Sequence, residues 1–265
     1  MKLPCRLAVL PLMIPPLLAA CSTEEHAPAS PPQAQMPQKK AMDTAPAGYQ
    51  GMQVTGGGTI SGHVSYAGKE TDTMVTITKD VQTCCPTCQD SKRPANTLVV
   101  QDGKLRNAVV YIDGITKGKE FTPKDAEIDN VGCRFEPHVG IAYKGAELAT
   151  KNSDALLHNT HLYLMEKNRD LVNIALPQQG QVVKKTMKKD GPVSVKCDAH
   201  EWMQGYIFVA THPYAVVTGD DGAFELTDVP PGEYTVKVWH ERLGEQEQKV
   251  TIAASGAATL DFSFN

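Results

Sequence analysis

Residues 197–203 read Cys197-Asp-Ala-His200-Glu-Trp-Met203. A thiol, an imidazole and a thioether therefore fall within seven residues, and the pair His158-Asn159 supplies a second imidazole upstream. Nitrogen and sulfur donors of this kind bind soft and borderline transition metals. The separation of 39 residues between His158 and Cys197 leaves room for two or three strands. The spacing predicts a metal site built from one strand end and one adjacent loop.

The chain from Gly58 onward has the pattern of an all-β protein. Short runs rich in Val, Ile, Thr and Tyr are separated by turn sequences such as Asp102-Gly103 and Pro230-Pro231-Gly232. No segment keeps a helical period of apolar residues, except for a short turn predicted near Asp125. The pattern predicts an all-β fold of the sandwich type.

The segment from Cys133 to Ile207 resembles a cupredoxin, a Greek-key β-sandwich that binds one type 1 copper ion. The spacing Cys-x2-His-x2-Met is most similar to that of amicyanin, and the pair His158-Asn159 is similar to the plastocyanin pattern. The resemblance implies a cupredoxin domain over residues 127–212.

The same resemblance implies a role for each site residue. His158, Cys197 and His200 would be the equatorial ligands of the single copper ion, and Met203 would be the axial ligand. Asn159 would tie the His158 loop to the Cys197 loop, and His200 would be a surface-facing port for electrons. The alternatives are a buried or disulfide-bonded Cys197 with Met203 in the core, or a zinc site, although zinc rarely takes a thioether.

Other segments resemble the carboxypeptidase-regulatory-like β-sandwich. They are Thr59–Tyr66 and Asp221–Val236, with Asn107–Ile112 as a further strand. The resemblance implies a discontinuous domain over residues 58–126 and 213–265, into which the cupredoxin domain is inserted. Insertion at a loop is tolerated when the ends of the host strands lie close together. Two sequential domains, or one enlarged sandwich with shared strands, are the alternatives.

The N-terminal region predicts an exported lipoprotein. Residues 1–20 combine positive charge with an apolar run, as a signal peptide does, and Leu18-Ala-Ala-Cys21 matches the bacterial lipobox. Cys21 would carry the lipid, and residues 21–57, rich in Pro, Ala and Gln, would be a disordered tether. Ser22 after the cysteine indicates the outer membrane, so we expect a bacterial envelope protein facing the periplasm or the surface. A membrane-spanning helix is the alternative, but the apolar run is short and contains prolines.

The remaining cysteines predict disulfides, because exported chains tend to pair their cysteines. With Cys197 reserved for metal, Cys84, Cys85, Cys88 and Cys133 allow three pairings. A bridge between the adjacent Cys84 and Cys85 is strained, so one cysteine of the cluster is expected to join Cys133. The cluster could instead be a thiol redox or metal-binding motif.

The other histidines and the charge limit the further possibilities. His161 lies three residues after His158, so on a strand it points to the opposite face. His138, His212 and His240 are interpreted as surface or hydrogen-bonded core residues, with a second metal site among them as the alternative hypothesis. The formal net charge of −4 suggests no nucleic-acid partner.

Together these patterns predict a membrane-anchored copper protein that carries single electrons between a donor and an acceptor protein. The sequence contains no His-x-His, the motif with which multicopper enzymes build a second centre, so no enzyme activity is expected. Two alternatives remain open: a surface lipoprotein whose regulatory-like sandwich binds carbohydrate or protein, and a periplasmic copper-binding or buffering protein.

Overall fold

The computed structural model describes residues 48–167 and 169–265. Their strands, in chain order, are β1 (Gln50–Met52), β2 (Gly58–Tyr66), β3 (Met74–Thr76), β4 (Lys92–Pro94), β5 (Val100–Gln101), β6 (Lys104–Leu105), β7 (Val109–Ile112), β8 (Lys117–Lys119), β9 (Ala126–Val131), β10 (Arg134–Glu136), β11 (Val139–Tyr143), β12 (Glu147–Asn152), β13 (His158–Leu164), β14 (Arg169–Leu176), β15 (Val182–Thr186), β16 (Gly191–Lys196), β17 (Gln204–Ala210), β18 (Ala215–Val217), β19 (Ala223–Val229), β20 (Gly232–His240), β21 (Gly244–Ile252), β22 (Ala257–Thr259) and β23 (Phe262–Phe264).

Helical structure in the described residues is limited to short pieces. They are α1 (Val81–Cys84) and two 3₁₀ turns at Gln89–Ser91 and Met165–Lys167. No described helix has the length and apolar character needed to cross a bilayer. The all-β prediction is confirmed. The helical turn predicted near Asp125 is wrong, because the residues before β9 are not helical.

Strands between residues 126 and 210 form two facing sheets. One has the order β10-β9-β12-β15, and the other has the order β11-β17-β16-β13-β14. Burial alternates along β9, as expected for a strand with one face toward the core, whereas six consecutive residues of β17 are buried. The core between the sheets includes Ile128, Leu148, Leu162, Val195 and Ile207.

A second pair of sheets combines strands from both ends of the described chain. One has the order β18-β7-β20-β21, and the other has the order β19-β2-β6-β5, with β22 and β23 added along β2. The burial of β2 alternates along its nine residues, so one face packs inward. The core includes Ile60, Leu105, Ile112, Val236 and Phe262. Residues before 113 and after 214 therefore share the same sheets.

The two sandwiches contact each other face to face through aromatic side chains. The outward face of β17 packs on β7 and β20, with ring centroids 4.7 Å apart for Tyr111 and Phe208 and 5.7 Å apart for Tyr206 and Trp239. These contacts fix the sandwiches against each other. The domain boundaries remain a prediction, since strand pairing alone does not define which segments fold independently.

The predicted tether is wrong at its C-terminal end. Tyr49 is buried and packs against Phe121, and β1 pairs in parallel with β8. One aromatic side chain anchors a segment whose average composition indicates disorder. Residues 1–47, with the predicted signal peptide, the lipidated Cys21 and most of the tether, lie outside the described residues.

The segment between β3 and β4 also departs from the predicted boundaries. It falls within residues 58–126, yet Ile77, Cys84 and Cys85 pack into the core of the other sandwich. Two disulfides staple it, one from Cys84 to Cys133 and one from Cys85 to Cys88. The prediction that one cysteine of the cluster joins Cys133 is confirmed. We call residues 77–91 the stapled segment.

Candidate metal centre

Cys197 is the centre of a buried cluster of metal-binding side chains. It directly follows β16, is 1 % exposed, and is the free cysteine among the described residues. Its Sγ lies 3.8 Å from Nδ1 of His158 and 3.8 Å from Nδ1 of His200. The ligating atoms of the three residues all lie within 4.8 Å of one another. The structure therefore brings together three of the four predicted ligands.

The loop after Cys197 folds through two successive turns. The backbone N–H of His200 donates to the carbonyl of Cys197 at 3.3 Å, and that of Met203 donates to the carbonyl of His200 at 2.8 Å. These bonds bring His200 back toward the sulfur. Met203, 2 % exposed, lies in the same buried cluster as Cys197. The two-residue spacers of Cys-x2-His-x2-Met thus give a compact loop.

The Asp154 carboxylate, which the sequence did not indicate as part of the site, contacts the His158 ring on the side away from Cys197. Nε2 of His158 lies 2.9 Å from Oδ2 of Asp154. The Asp154 carboxylate also accepts hydrogen bonds from the backbone N–H groups of Gly132 and Cys133, at 2.7 and 2.8 Å. A hydrogen bond at Nε2 leaves Nδ1 free to act as a ligand. The four-residue spacing from Asp154 to His158 is the sequence signal that could have identified this contact.

Asn159 bridges the two loops that carry the ligands. Its Oδ1 accepts hydrogen bonds from the backbone N–H groups of Asp198 and Ala199, at 2.8 and 3.1 Å. Its own backbone N–H lies 3.4 Å from the Cys197 sulfur. Asn159 lies at the start of β13, and its side chain is bonded to the loop after β16. The two segments that carry His158 and Cys197 are therefore tied together. This geometry is the one that the resemblance assigned to Asn159.

The environment favours a thiolate at Cys197. Burial raises the pKa of the thiol, but hydrogen bonds from His158 and from the backbone N–H of Asn159 bring it below its usual value. Burial likewise lowers the pKa of His158, while Asp154 and Cys197 act more strongly and raise it to about 9. A thiolate is the form of cysteine that binds a metal ion, and the contacts around Cys197 therefore shift the thiol toward the form that the site needs.

His200 differs most from the prediction. It was expected to face solvent, but it is 2 % exposed, and its Nε2 lies 3.1 Å from Oδ2 of Asp80 in the stapled segment. The ring of Trp202 packs 5.1 Å away. Burial lowers the pKa of His200, although the Asp80 carboxylate acts in the opposite direction. The surface-facing port is therefore a wrong expectation, because a segment 120 residues earlier in the chain covers the imidazole.

Arg93 fixes the stapled segment to the turn at Gly132. Its buried guanidinium donates to the carbonyls of Cys84 and Gly132, each at 2.8 Å, and to the carbonyl of Cys133. The same turn supplies the N–H groups that hold Asp154. The anchor of the stapled segment and the support of His158 thus share one turn.

Among the residues that the structure describes, the other histidines do not gather into a second centre. The described residues hold one further group with ligating spacing, Cys133, Asp154 and His158, but Cys133 is in a disulfide. His138 contacts Glu241, and His161 pairs with Asp170 and Asp198. His212 and His240 are buried, and burial lowers the pKa of each to about 4. The hypothesis of a second site among His138, His212 and His240 has no support in this geometry.

One comparison with known families matches the C-terminal part of the chain. A family model described as the carboxypeptidase regulatory-like domain matches residues 207–265, which carry β18 to β23. The regulatory-like resemblance is thus shown for the C-terminal part of the chain. No curated protein is similar enough in sequence to count as a relative.

Several solved structures are similar to part of the chain. A copper-containing nitrite reductase from Thermus scotoductus is 23 % identical at a TM-score of 0.30, over 35 % of this chain and only 24 % of its own. A purple cupredoxin from Nitrosopumilus maritimus is 19 % identical at a TM-score of 0.28, over 32 % of this chain and 100 % of its own. Amicyanin from Paracoccus versutus is 15 % identical at a TM-score of 0.29, over 32 % and 81 %.

Proposed function

We propose that this protein is an exported, lipid-anchored carrier of single electrons that binds one type 1 copper ion. The observation that carries the proposal is the convergence of two imidazole Nδ1 atoms on the buried sulfur of Cys197, each at 3.8 Å. His158, Cys197 and His200 would be the equatorial ligands, with Met203 on the axis. Two imidazoles, a thiolate and a thioether fit copper better than zinc. Copper bound there would gain and lose one electron without chemistry on a substrate.

The residues around the donors supply what such a centre needs. Rapid electron transfer requires ligands that do not rearrange when the charge changes. Asp154 holds one imidazole, Asn159 holds both loops, and the ligand-bearing loop begins and ends on neighbouring strands, β16 and β17. All four ligands are at most 2 % exposed, so water is excluded.

The proposal includes the location of the protein in the cell and its redox partners. Cys21 would anchor it in the outer membrane of a bacterium, facing the periplasm or the surface, and the tether would let it reach its partners. A donor and an acceptor protein would dock briefly over a small interface. Since the chain has no His-x-His pair for a second copper centre, we expect a carrier and not an enzyme.

The visible spectrum of the purified protein loaded with Cu(II) tests the proposal. We expect an intense thiolate-to-copper band that a reductant bleaches and reoxidation restores. Cys197→Ala should abolish the band. His63→Ala, which removes an imidazole that is 49 % exposed and pairs with Asp261, is the matched control and should leave the band unchanged.

Metal analysis completes the experiment. One copper per chain, lost in Cys197→Ala and retained in His63→Ala, is the expected stoichiometry. A colourless protein, or a faint colour that survives Cys197→Ala, would contradict the carrier and favour a binding role for the regulatory-like sandwich. Copper binding without reversible one-electron chemistry would favour buffering.

A further inference from the structure

The stapled segment encloses His200 from outside the ligand loop. Oδ2 of Asp80 lies 3.1 Å from Nε2 of His200, although the two residues are 120 positions apart. The rings of His158 and Trp202 lie 4.6 and 5.1 Å from the same imidazole. Asp80 itself is half-exposed, so its carboxylate lies between the imidazole and solvent.

The position of Asp80 is built into the fold. Its carbonyl accepts hydrogen bonds from the backbone N–H groups of Thr83 and Cys84, at 2.9 and 2.8 Å, and Cys84 is covalently joined to Cys133. Asp80 also has φ of +51°, a left-handed conformation that non-glycine residues keep only where the surrounding structure imposes it. The backbone of Asp80 is thus held by buried and covalent structure, which places its side chain beside His200.

The Asp80 side chain has no role in the helix that follows it. Asp80 precedes α1, but its carboxylate makes no capping hydrogen bond to that helix. The contact that the structure gives this carboxylate is the one with His200. Removing the carboxylate therefore tests the imidazole contact without removing a helix cap.

We propose that Asp80 is a positioning residue of the metal centre, which holds the His200 imidazole with Nδ1 toward Cys197 and places a negative charge against a ligand of the copper ion. When the carboxylate accepts a hydrogen bond from Nε2–H, the proton stays on Nε2 and Nδ1 is left as the unprotonated donor atom. A carboxylate behind a ligating imidazole makes it a stronger donor. The charge effect rests on the proposed copper function, whereas the orientation of His200 does not.

The direction of the charge effect follows from electrostatics. A carboxylate is attracted more strongly to Cu(II) than to Cu(I), so Asp80 favours the oxidised state and lowers the reduction potential. Loss of a partner behind a metal-bound histidine typically changes metal affinity by about 10- to 100-fold. Asp80→Asn should weaken the binding of Cu(II) more than that of Cu(I). If the ratio of the two affinities falls by about tenfold, the reduction potential rises by about 59 mV.

The substitutions can be chosen to keep the backbone. Asparagine tolerates the left-handed conformation at position 80 and removes the charge, and glycine adopts it without strain and removes the side chain. Asp80→Glu should restore part of the wild-type potential. Asp90→Asn is the matched control, because Asp90 is an exposed carboxylate of the same segment, also in a left-handed conformation.

The orientation is tested on the full-length, metal-free protein by nitrogen-15 NMR of the histidine side chains at fixed pH. We expect wild type and Asp90→Asn to hold His200 as the Nε2-protonated tautomer. In Asp80→Gly the ratio of this tautomer to the other should fall at least about tenfold, because a hydrogen bond to a charged acceptor is lost. An unchanged ratio would overturn the positioning role.

The charge effect is tested by redox titration of the copper-loaded, full-length protein. A potential that rises in Asp80→Asn, stays constant in Asp90→Asn and partly returns in Asp80→Glu supports the proposal. Equal shifts in the two asparagine variants, or none in either, would overturn it. If wild type forms no thiolate-to-copper band, the proposed function fails, and the NMR result alone decides whether Asp80 positions His200.

Discussion

Replacing Arg93 by methionine should destabilise the protein, because this side chain connects the stapled segment to the turn at Gly132. Arg93 is 7 % exposed, and its guanidinium donates to three backbone carbonyls, those of Cys84, Gly132 and Cys133. Methionine fills much of the same volume but cannot donate. Three carbonyls would then lose their charged partner, and two of them, those of Cys84 and Cys133, belong to buried residues.

The magnitude is a difference between two opposing effects. Hydrogen bonds to a charged group contribute about 2 kcal/mol each, so three contribute roughly 6 kcal/mol. Burial of the charge opposes them: together with the nearby Arg134, it lowers the pKa of Arg93 from 12.5 to about 10. At about 1.4 kcal/mol per pKa unit, the buried charge costs roughly 3 kcal/mol. We therefore expect Arg93→Met to lower the free energy of unfolding by about 3 kcal/mol.

Urea unfolding, followed by circular dichroism at neutral pH, measures this loss. The midpoint should fall on the order of 1 M. Arg106→Met is the matched control, because Arg106 is 49 % exposed and pairs with Asp220 at the surface, where such an ion pair contributes less than about 1 kcal/mol. If the two variants are equally stable, the claim that Arg93 anchors the stapled segment is refuted.

His240→Gln should flatten the acid dependence of stability, because the folded pKa of His240 is about 4 against the ordinary 6.5, so the unfolded chain takes up the proton first. Between pH 7.5 and pH 5, wild type should lose about 2 kcal/mol of its free energy of unfolding through this residue. If urea unfolding shows the same change with pH in both proteins, the low pKa of His240 is contradicted. The double variant Cys84→Ser with Cys133→Ser should lose about 4 kcal/mol, since the disulfide closes a loop with a sequence separation of 49; an unchanged urea midpoint would exclude this. Gly62→Ala should cost about 3 kcal/mol by thermal unfolding, because a Cβ there would lie 1.7 Å from the Leu260 carbonyl oxygen, and a wild-type melting temperature would show that the backbone yields easily.

Local sequence patterns predicted the elements and the core of the site well. Alternating β-branched runs and turn residues are short-range signals, and they indicated the all-β class. Cys197, His200 and Met203 lie close in sequence, so their spacing alone indicated a shared site. The upstream His158 required the resemblance, because nothing local connects it to residues 39 positions away.

Contacts between distant segments were not predictable in the same way. Composition assigned Tyr49 to a tether, because one aromatic residue does not change the average of a Pro- and Ala-rich stretch. Asp80 carried no local signal either, and only the disulfide from Cys84 to Cys133 would have placed it near the site. The exposed position predicted for His200 is wrong because the segment that covers the ligand loop lies far from it in sequence.

The pairing of β2 with β23 has a consequence for how the protein is made. Ser65 donates to the carbonyl of Phe262, 197 residues later, and β7 lies between β18 and β20 in its sheet. During synthesis, β2 can pair with β6 early, but its pairing with β19, β22 and β23 must wait until residues 223–264 have emerged. The sandwich that carries Cys197 draws its sheet strands from residues 126–210 and can complete its pairing earlier. The order of translation thus favours a ligand pocket that forms before the partner sandwich is complete.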